Sequence, residues 1–307
     1  MLNNKVSVVG GLTMDLSYYL NKWPKVGQAV QATDYKLEPG GKGLNLATGL
    51  SRLGLEVIII ASLGNDDFSR KIIKVLNEEK INSQNVFQFS DTRTDLIGII
   101  VGPDGQPGFI GVTNASGKLS VENIQSKRDA VKSGSVLGVN QEVSSITAKA
   151  SLKLAKEENV ITVFNPAPPD NFDFSVLPFV DYLVLNDWEA KYILQKPNDS
   201  LENLAQEFFE KGAKNVCITL GENGSLFFNS QGVVKLGIYQ IEEKDATGAG
   251  DSFSAGLIYG LVNNFEKGKL FNFASACGAL ACTKLGSRSS MPTLKEIEDF
   301  MKTSVMK

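Results

Sequence analysis

The chain contains no histidine among its 307 residues. That absence removes Ser-His-Asp and Cys-His catalysis together with the commonest zinc ligand, so acid–base chemistry must use carboxylates, lysines or water. Cysteine is scarce: Cys217, Cys277 and Cys282 form an odd set without CxxC spacing. Such usage suits reduced thiols in a cytoplasmic protein better than a disulfide framework, and each thiol reads first as a small buried apolar residue. A net charge of -3 leaves no basic excess for a nucleic-acid partner. Long apolar runs are missing too: stretches such as VIIIA at 57–61 are far too short to cross a bilayer. The opening MLNNKVSVVG lacks the apolar region of a signal peptide and reads directly as a first strand. A cytoplasmic protein with no membrane partner is expected.

What is present points to one large α/β domain. Hydrophobic residues make up 42% and charged residues 21%, enough to bury a sizeable core. Apolar runs at 6–10, 57–61, 160–164, 182–186 and 216–220 read as strands covered on both faces. Helical patterns lie between them; in 201–209, Leu201, Leu204, Ala205, Phe208 and Phe209 fall on one face. Alternation of this kind implies right-handed crossovers, a mostly parallel sheet, and ligands at the carboxyl ends of its strands. Two segments break the rhythm. Residues 12–38 hold strand-like fragments and a Trp-Pro, and residues 95–112 alternate around the turn signal GPDGQPG. Both read as a β-flap standing off the main sheet.

Two glycine clusters carry the chemistry. In DATGAGDSFSAG at 245–256, Phe253, Gly256, Leu257, Gly260 and Leu261 repeat at helical spacing, so a buried helix is expected to start near Asp251. The preceding TGAG offers backbone N–H groups at a helix N-terminus, where an anion is favoured. A plain loop-to-helix connection capped by Asp251 explains the turn as well. It is neither a Walker A loop nor GxGxxG, since position 253 is Phe. The second cluster, PGGKGLNLATGLSRLG at 39–54, runs into a helix with Leu46, Leu50 and Leu53 on one face. Lys42 and Asn45 stand just before that face, able to meet a small polar ligand; alone, the cluster reads equally as a capped helix with a surface lysine.

Together the two clusters resemble the signatures of the ribokinase-like (PfkB) carbohydrate kinase family. The likeness continues through GLTMDL near the start, NQE at 140–142, NPAP at 165–168, NDWEA at 186–190, TLGENG at 219–224 and TKLGSRSSMP at 283–292. The resemblance implies a three-layer αβα sandwich in a single domain, 1–307, with a small β-lid inserted from about 11–38 and 94–112. It implies ATP, Mg²⁺ and a monovalent cation, K⁺, as cofactors, and a homodimer joined through the lid. The activity implied is transfer of the γ-phosphate of ATP to a hydroxyl of a small neutral sugar, with O5 of D-ribose the leading acceptor. Fructose, 2-keto-3-deoxygluconate, a nucleoside, a phosphosugar, or a non-catalytic sensor on the same fold are the alternatives.

The resemblance also assigns roles. Asp251 is the expected general base, and Gly248, Ala249 and Gly250 the anion hole. Thr13, Asp15, Gly41, Lys42, Asn45, Glu142 and Asp251 are expected around the sugar. Asn186, Thr219, Gly221, Gly250 and Ser275 are expected around ATP, with Asn186 and Glu189 near Mg²⁺, through water. Glu189 alone would read as a solvated helix residue. Asp245, Thr247, Ala281, Lys284, Gly286 and Ser290 would surround K⁺. Two departures concern the acceptor. Asn114-Ala115-Ser116 stands where ribokinases carry Gly-Ala-Asn, and Arg93 lies near the point where phosphosugar kinases bind the substrate's phosphate. A surface salt bridge is the plainer reading of Arg93, and Glu142 would repel a phosphorylated sugar. The flap's Trp23, Val26, Tyr35, Leu37, Leu96, Ile97, Ile99 and Ile110 offer apolar surface for covering the site or for pairing.

Overall fold

The structure is a computed structural model that describes residues 3–105, 107–304 and 306; Met1, Leu2 and the Gln106 of the GPDGQPG turn lie outside the described residues. The first part of the chain runs β1 (Lys5–Val9), β2 (Thr13–Tyr19), β3 (Asp34–Gly40), α1 (Lys42–Arg52), β4 (Glu56–Gly64), α2 (Asp67–Glu78) and β5 (Asn82–Phe89). Next come β6 (Asp95–Val101), β7 (Pro107–Val112), α3 (Val121–Gln125), α4 (Arg128–Lys132), β8 (Val136–Asn140), α5 (Ser145–Glu157) and β9 (Ile161–Asn165). Then follow β10 (Tyr182–Asn186), α6 (Asp187–Leu194), α7 (Leu201–Glu210), β11 (Asn215–Thr219), β12 (Ser225–Asn229) and β13 (Gly232–Leu236). The chain closes with α8 (Ala249–Val262), α9 (Lys267–Ala281), α10 (Ser287–Ser290) and α11 (Leu294–Thr303).

The main sheet has nine strands in the order β13-β12-β11-β10-β9-β8-β1-β4-β5. Pairing is parallel from β11 to β5, and antiparallel between β11, β12 and β13 at one edge. Successive side chains of a strand face opposite ways, and here both faces are apolar. Val8, Ile59 and Val136 enter a core shared with α1, α2, α8, α9 and α11. Val9, Ile60 and Leu137 enter a second core beneath α3 to α7. This is the expected αβα sandwich. Four of the five expected strands lie within one residue of their observed ends, and the fifth, 57–61, runs three residues further as β4.

Topology sets the place of the site. The chain fills one side of β1 with β4 and β5, then returns on the other side as β8. The crevice between the carboxyl ends of β1 and β8 is therefore a switch point, where open α/β sheets bind ligands.

The β-flap is a separate four-stranded sheet, β3-β2-β6-β7, entered at Thr13, left at Gly40, and resumed over 95–112. Register pairs Asp15 with Glu38 and Thr13 with Asp95 on one face. The opposite face carries Tyr35 and Ile110, 66% and 61% exposed, beside the exposed Tyr18, Leu37 and Val112. Trp23 packs over Gly102, where a Cβ would lie 2.3 Å from the indole.

Candidate active site

The head of α1 is built by close backbone approach. Gly41 precedes the helix at φ +95, and a Cβ on Gly43 would lie 2.5 Å from the Gly11 carbonyl oxygen. Only glycine permits both conditions. This contact brings α1 against the turn leaving β1 and points Lys42 and Asn45 into the crevice. Lys42 is half-buried and Asn45 only 5% exposed, so neither is a surface residue.

The second cluster meets the first across the crevice. Helix α8 starts at Ala249, near Asp251 as expected, and is capped by Gly248 in the left-handed region at φ +86. Asp251 is thus inside the first turn and is not the cap. Its Oδ2 accepts from Asn45 Nδ2 at 2.9 Å, and its Oδ1 lies 3.5 Å from Lys42 Nζ. The Ala249 N–H closes a turn onto Ala246 at 3.1 Å and Ser252 N–H bonds Gly248 at 2.9 Å. Among the described residues no backbone acceptor takes the Gly250 or Asp251 N–H. Free N–H groups at a helix N-terminus suit an anion. Of the three expected anion-hole groups, Ala249 is the one already engaged.

Glu142, after β8, completes the floor: its Oε2 accepts the Lys42 backbone N–H at 2.7 Å. Burial pushes Glu142 up to about 8, although the nearby Lys42 ammonium pulls the other way. A carboxyl raised this far weakens the expected repulsion of a phosphosugar by Glu142 at neutral pH. Burial also raises Asp15 to about 6, against a bond from Thr13 Oγ1 at 2.6 Å, and Glu38 and Asp251 add to the rise. Burial acts to lower Lys42, but Asp251, Glu189 and Glu142 outweigh it and hold the ammonium above its usual range. Asn140, absent from the expected set, accepts the N–H groups of Gly11 and Glu142 at 3.4 and 3.3 Å. Two buried atoms here have no partner, Asn45 Oδ1 and Asn140 Nδ2. Asn45 Oδ1, on a side chain that already holds Asp251, is free to accept a ligand hydroxyl.

The candidate nucleotide side lies along neighbouring strand ends. Asn186 ends β10 and pairs in register with Thr219 at the end of β11, followed by the exposed Gly221; Ser275 is half-buried on α9, which packs on α8. Asn186 and Glu189 form a capping box at the start of α6, each side chain bonding the other's N–H at 2.8 Å. Glu189 is buried at 8% exposure, not solvated, and burial raises its proton affinity despite Lys42. One Glu189 oxygen is left over from the cap. No cluster of three acidic, cysteine or histidine ligands occurs among the described residues. That donor set fits Mg²⁺ held mostly by water and phosphate.

Asp245 accepts the N–H groups of Thr247 at 2.9 Å and Gly286 at 2.8 Å. Among the described residues it has no ion-pair partner. The Lys284 ammonium turns away to Glu296 at 2.6 Å, while Ser290 is fully buried and bonds the Ser287 carbonyl. The Ala281 carbonyl at the end of α9 accepts from Lys284 N–H at 3.1 Å. An unpaired carboxylate beside a helix C-terminus fits a monovalent cation.

Both departures are placed. Asn114 and Ser116 N–H groups bond Asp95 Oδ1 at 2.9 and 3.2 Å, and the Ser116 hydroxyl bonds its other oxygen. The turn's polar groups thus anchor the start of β6. Arg93 is exposed and makes no ion pair among the described residues, so the surface salt bridge is not found.

The chain is similar to a ribokinase from Lactococcus lactis, 29% identical over 299 residues covering 97% of each chain. A Salmonella typhi deoxyribokinase is 25% identical over 96% of this chain and 98% of its own. Among solved structures, a ribokinase from Thermotoga maritima matches with a TM-score of 0.90 at 28% identity, over 98% of this chain and 100% of that one. The profile of the pfkB family carbohydrate kinases matches residues 3–294. The chain therefore belongs to the PfkB family of carbohydrate kinases.

Proposed function

We propose that this ATP-dependent sugar kinase phosphorylates D-ribose at O5, giving ribose 5-phosphate and ADP. One observation carries the reading: Asp251 stands at the head of α8, bonded to Asn45 at 2.9 Å, beside free N–H groups in the switch-point crevice. In the reaction the O5–H proton passes to the Asp251 carboxylate as O5 bonds to the γ-phosphorus and the bond to ADP breaks. Phosphoryl transfer rests on positioning and charge stabilisation, so a carboxylate base suffices without histidine. The N–H groups at Gly248 and Gly250 lie where charge develops on the moving phosphoryl group, and Lys42 balances that charge. Asp15, Asn45 and Glu142 hold sugar hydroxyls, with Thr13 and the Gly41 backbone beside them. Asn186, Thr219, Gly221 and Ser275 line the nucleotide side.

Asn186 and Glu189 would hold Mg²⁺ through water, and the ion would supply neutralisation of the nucleotide's phosphate charge. Asp245, with Thr247 and the carbonyls of Ala281, Lys284, Gly286 and Ser290, would hold K⁺ and keep the anion-hole turn in shape. The exposed outer face of the lid pairs two subunits. Three free thiols suit a cytoplasmic setting. A non-catalytic sensor would have no use for a base held in this way.

The second reading is a deoxyribose kinase, favoured by the similarity to the Salmonella deoxyribokinase. Sugar-dependent ADP release across ribose, 2-deoxyribose, fructose, fructose 6-phosphate, 2-keto-3-deoxygluconate and nucleosides, with and without K⁺, separates these. The largest kcat/KM for D-ribose, raised by K⁺, is the expected outcome. A clear win for another acceptor overturns the ribose assignment.

A further inference from the structure

Helix α1 carries one face, Asn45, Gly49 and Arg52, that the site described above does not use up. Asn45 holds Asp251 at its N-terminal end. One turn on, Gly49 packs on α8, where a Cβ would lie 2.9 Å from Ala255 Cβ and 3.4 Å from Met291 Sδ. At the last position, Arg52 reaches the segment around α10: its Nη1 donates to the carbonyl oxygens of Arg288, Ser289 and Met291 at 3.4, 3.3 and 2.8 Å. Its Nε and Nη2 grip both oxygens of Glu79 at 3.1 and 2.6 Å, and Arg288 Nη1 joins the same carboxylate at 3.0 Å. Exposures of 24%, 15% and 19% for the Arg52, Glu79 and Arg288 side chains make this a shielded cluster and not a loose surface pair.

The segment that Arg52 grips is the platform under the anion hole. A Cβ on Gly248 would lie 3.0 Å from Ser287 Cα and 3.1 Å from Met291 Cε, so the left-handed turn that starts α8 rests directly on residues 287 and 291. One rigid helix therefore ties the base at one end to the support of the phosphate-binding turn at the other. We infer that Arg52, oriented by Glu79, is a positioning residue for phosphoryl transfer, setting the anion-hole turn against Asp251 without touching substrate. The inference rests on the anion-hole role proposed for Gly248 and its neighbours. A bidentate guanidinium that also meets three carbonyls has no lysine equivalent.

The test compares wild type with Arg52→Lys, Arg52→Gln and Glu79→Gln. Each is measured for thermal midpoint, for kcat and both KM values, and for affinity toward ADP alone and toward ADP with aluminium fluoride and sugar, a mimic of the phosphoryl group in flight. Small displacements of catalytic geometry cost up to about 10²-fold. We expect kcat to fall by about tenfold to a hundredfold in Arg52→Lys and Arg52→Gln. Affinity for the aluminium fluoride complex should fall in parallel, with ADP affinity and sugar KM within about threefold of wild type. Glu79→Gln keeps Arg52 but loosens its orientation, and should show the same split at smaller size; it stands in if the Arg52 variants fail to fold. Variants that lose thermal stability yet keep kcat and the affinity for the mimic overturn the inference, leaving a purely structural tie. Absence of sugar-dependent turnover in the wild type would instead sink the kinase roles themselves.

Discussion

The pocket's carboxylates do not share one proton affinity. Glu142 is raised to about 8 and Asp15 to about 6, in both cases chiefly by burial. In the unfolded chain both ionise near pH 4, so between there and their folded values the folded state holds protons that the unfolded state has lost. Stability of the sugar-free protein should then fall as pH rises, first through the Asp15 window and on toward pH 8 for Glu142. Melting temperatures measured from pH 5 to 8 should decline, and Glu142→Gln should flatten the slope. A midpoint that climbs over that range, or an unaltered slope in the variant, contradicts the assignment. At this scale the sequence was legible where a polar side chain of the candidate site sits within its own glycine motif, as Asp251, Lys42 and Asn45 do. Asn140 and Arg52 were not legible, because their partners at 11 and 288–291 are far away in sequence and are set by strand order and helix packing.

Whole elements follow the same division. Strands with unbroken apolar runs, such as β4 and β10, are plain in the sequence. By contrast β8 is interrupted by Gly138, where a Cβ would lie 2.8 Å from Leu46 Cδ2 of α1. The edge strand β5, NSQNVFQF, is too polar to read as buried. The cap of α8 was hidden because glycine marks turns and helix caps alike, and the cap is Gly248, not Asp251. The turn between β1 and β2 obeys an equally tight constraint: a Cβ on Gly11 would lie 2.5 Å from Glu142 Oε2. Overpacking of this kind costs about 1–3 kcal/mol. Gly11→Ala should therefore raise the sugar KM by about tenfold or more while leaving the KM for ATP near wild type. An unchanged sugar KM would place Glu142 outside the sugar pocket.

Over the whole molecule, two apolar cores on either side of one sheet leave little freedom in the main body, and the lid is where surface remains unmatched. Tyr35, Leu37, Ile110 and Val112 lie exposed on its outer face, away from the face that carries Asp15. The proposed dimer would pair through this apolar face. Ile110→Lys should leave the melting temperature nearly unchanged, as exposed substitutions do, and shift sedimentation from dimer to monomer. A wild-type protein that sediments as a monomer contradicts the pairing. Sequence alternation exposed the lid's strands but not which face looks outward, since that depends on how the sheet sits over the crevice.

The central claim is that Asp251 takes the proton of an attacking sugar hydroxyl. Its most direct test is product formation from ATP and D-ribose by wild type and Asp251→Asn, with the phosphorylated carbon located by NMR. The wild type should give ribose 5-phosphate, and the variant should lose about 10²–10⁴-fold or more in rate. Equal turnover in the two proteins, or no sugar phosphate from either, would contradict it.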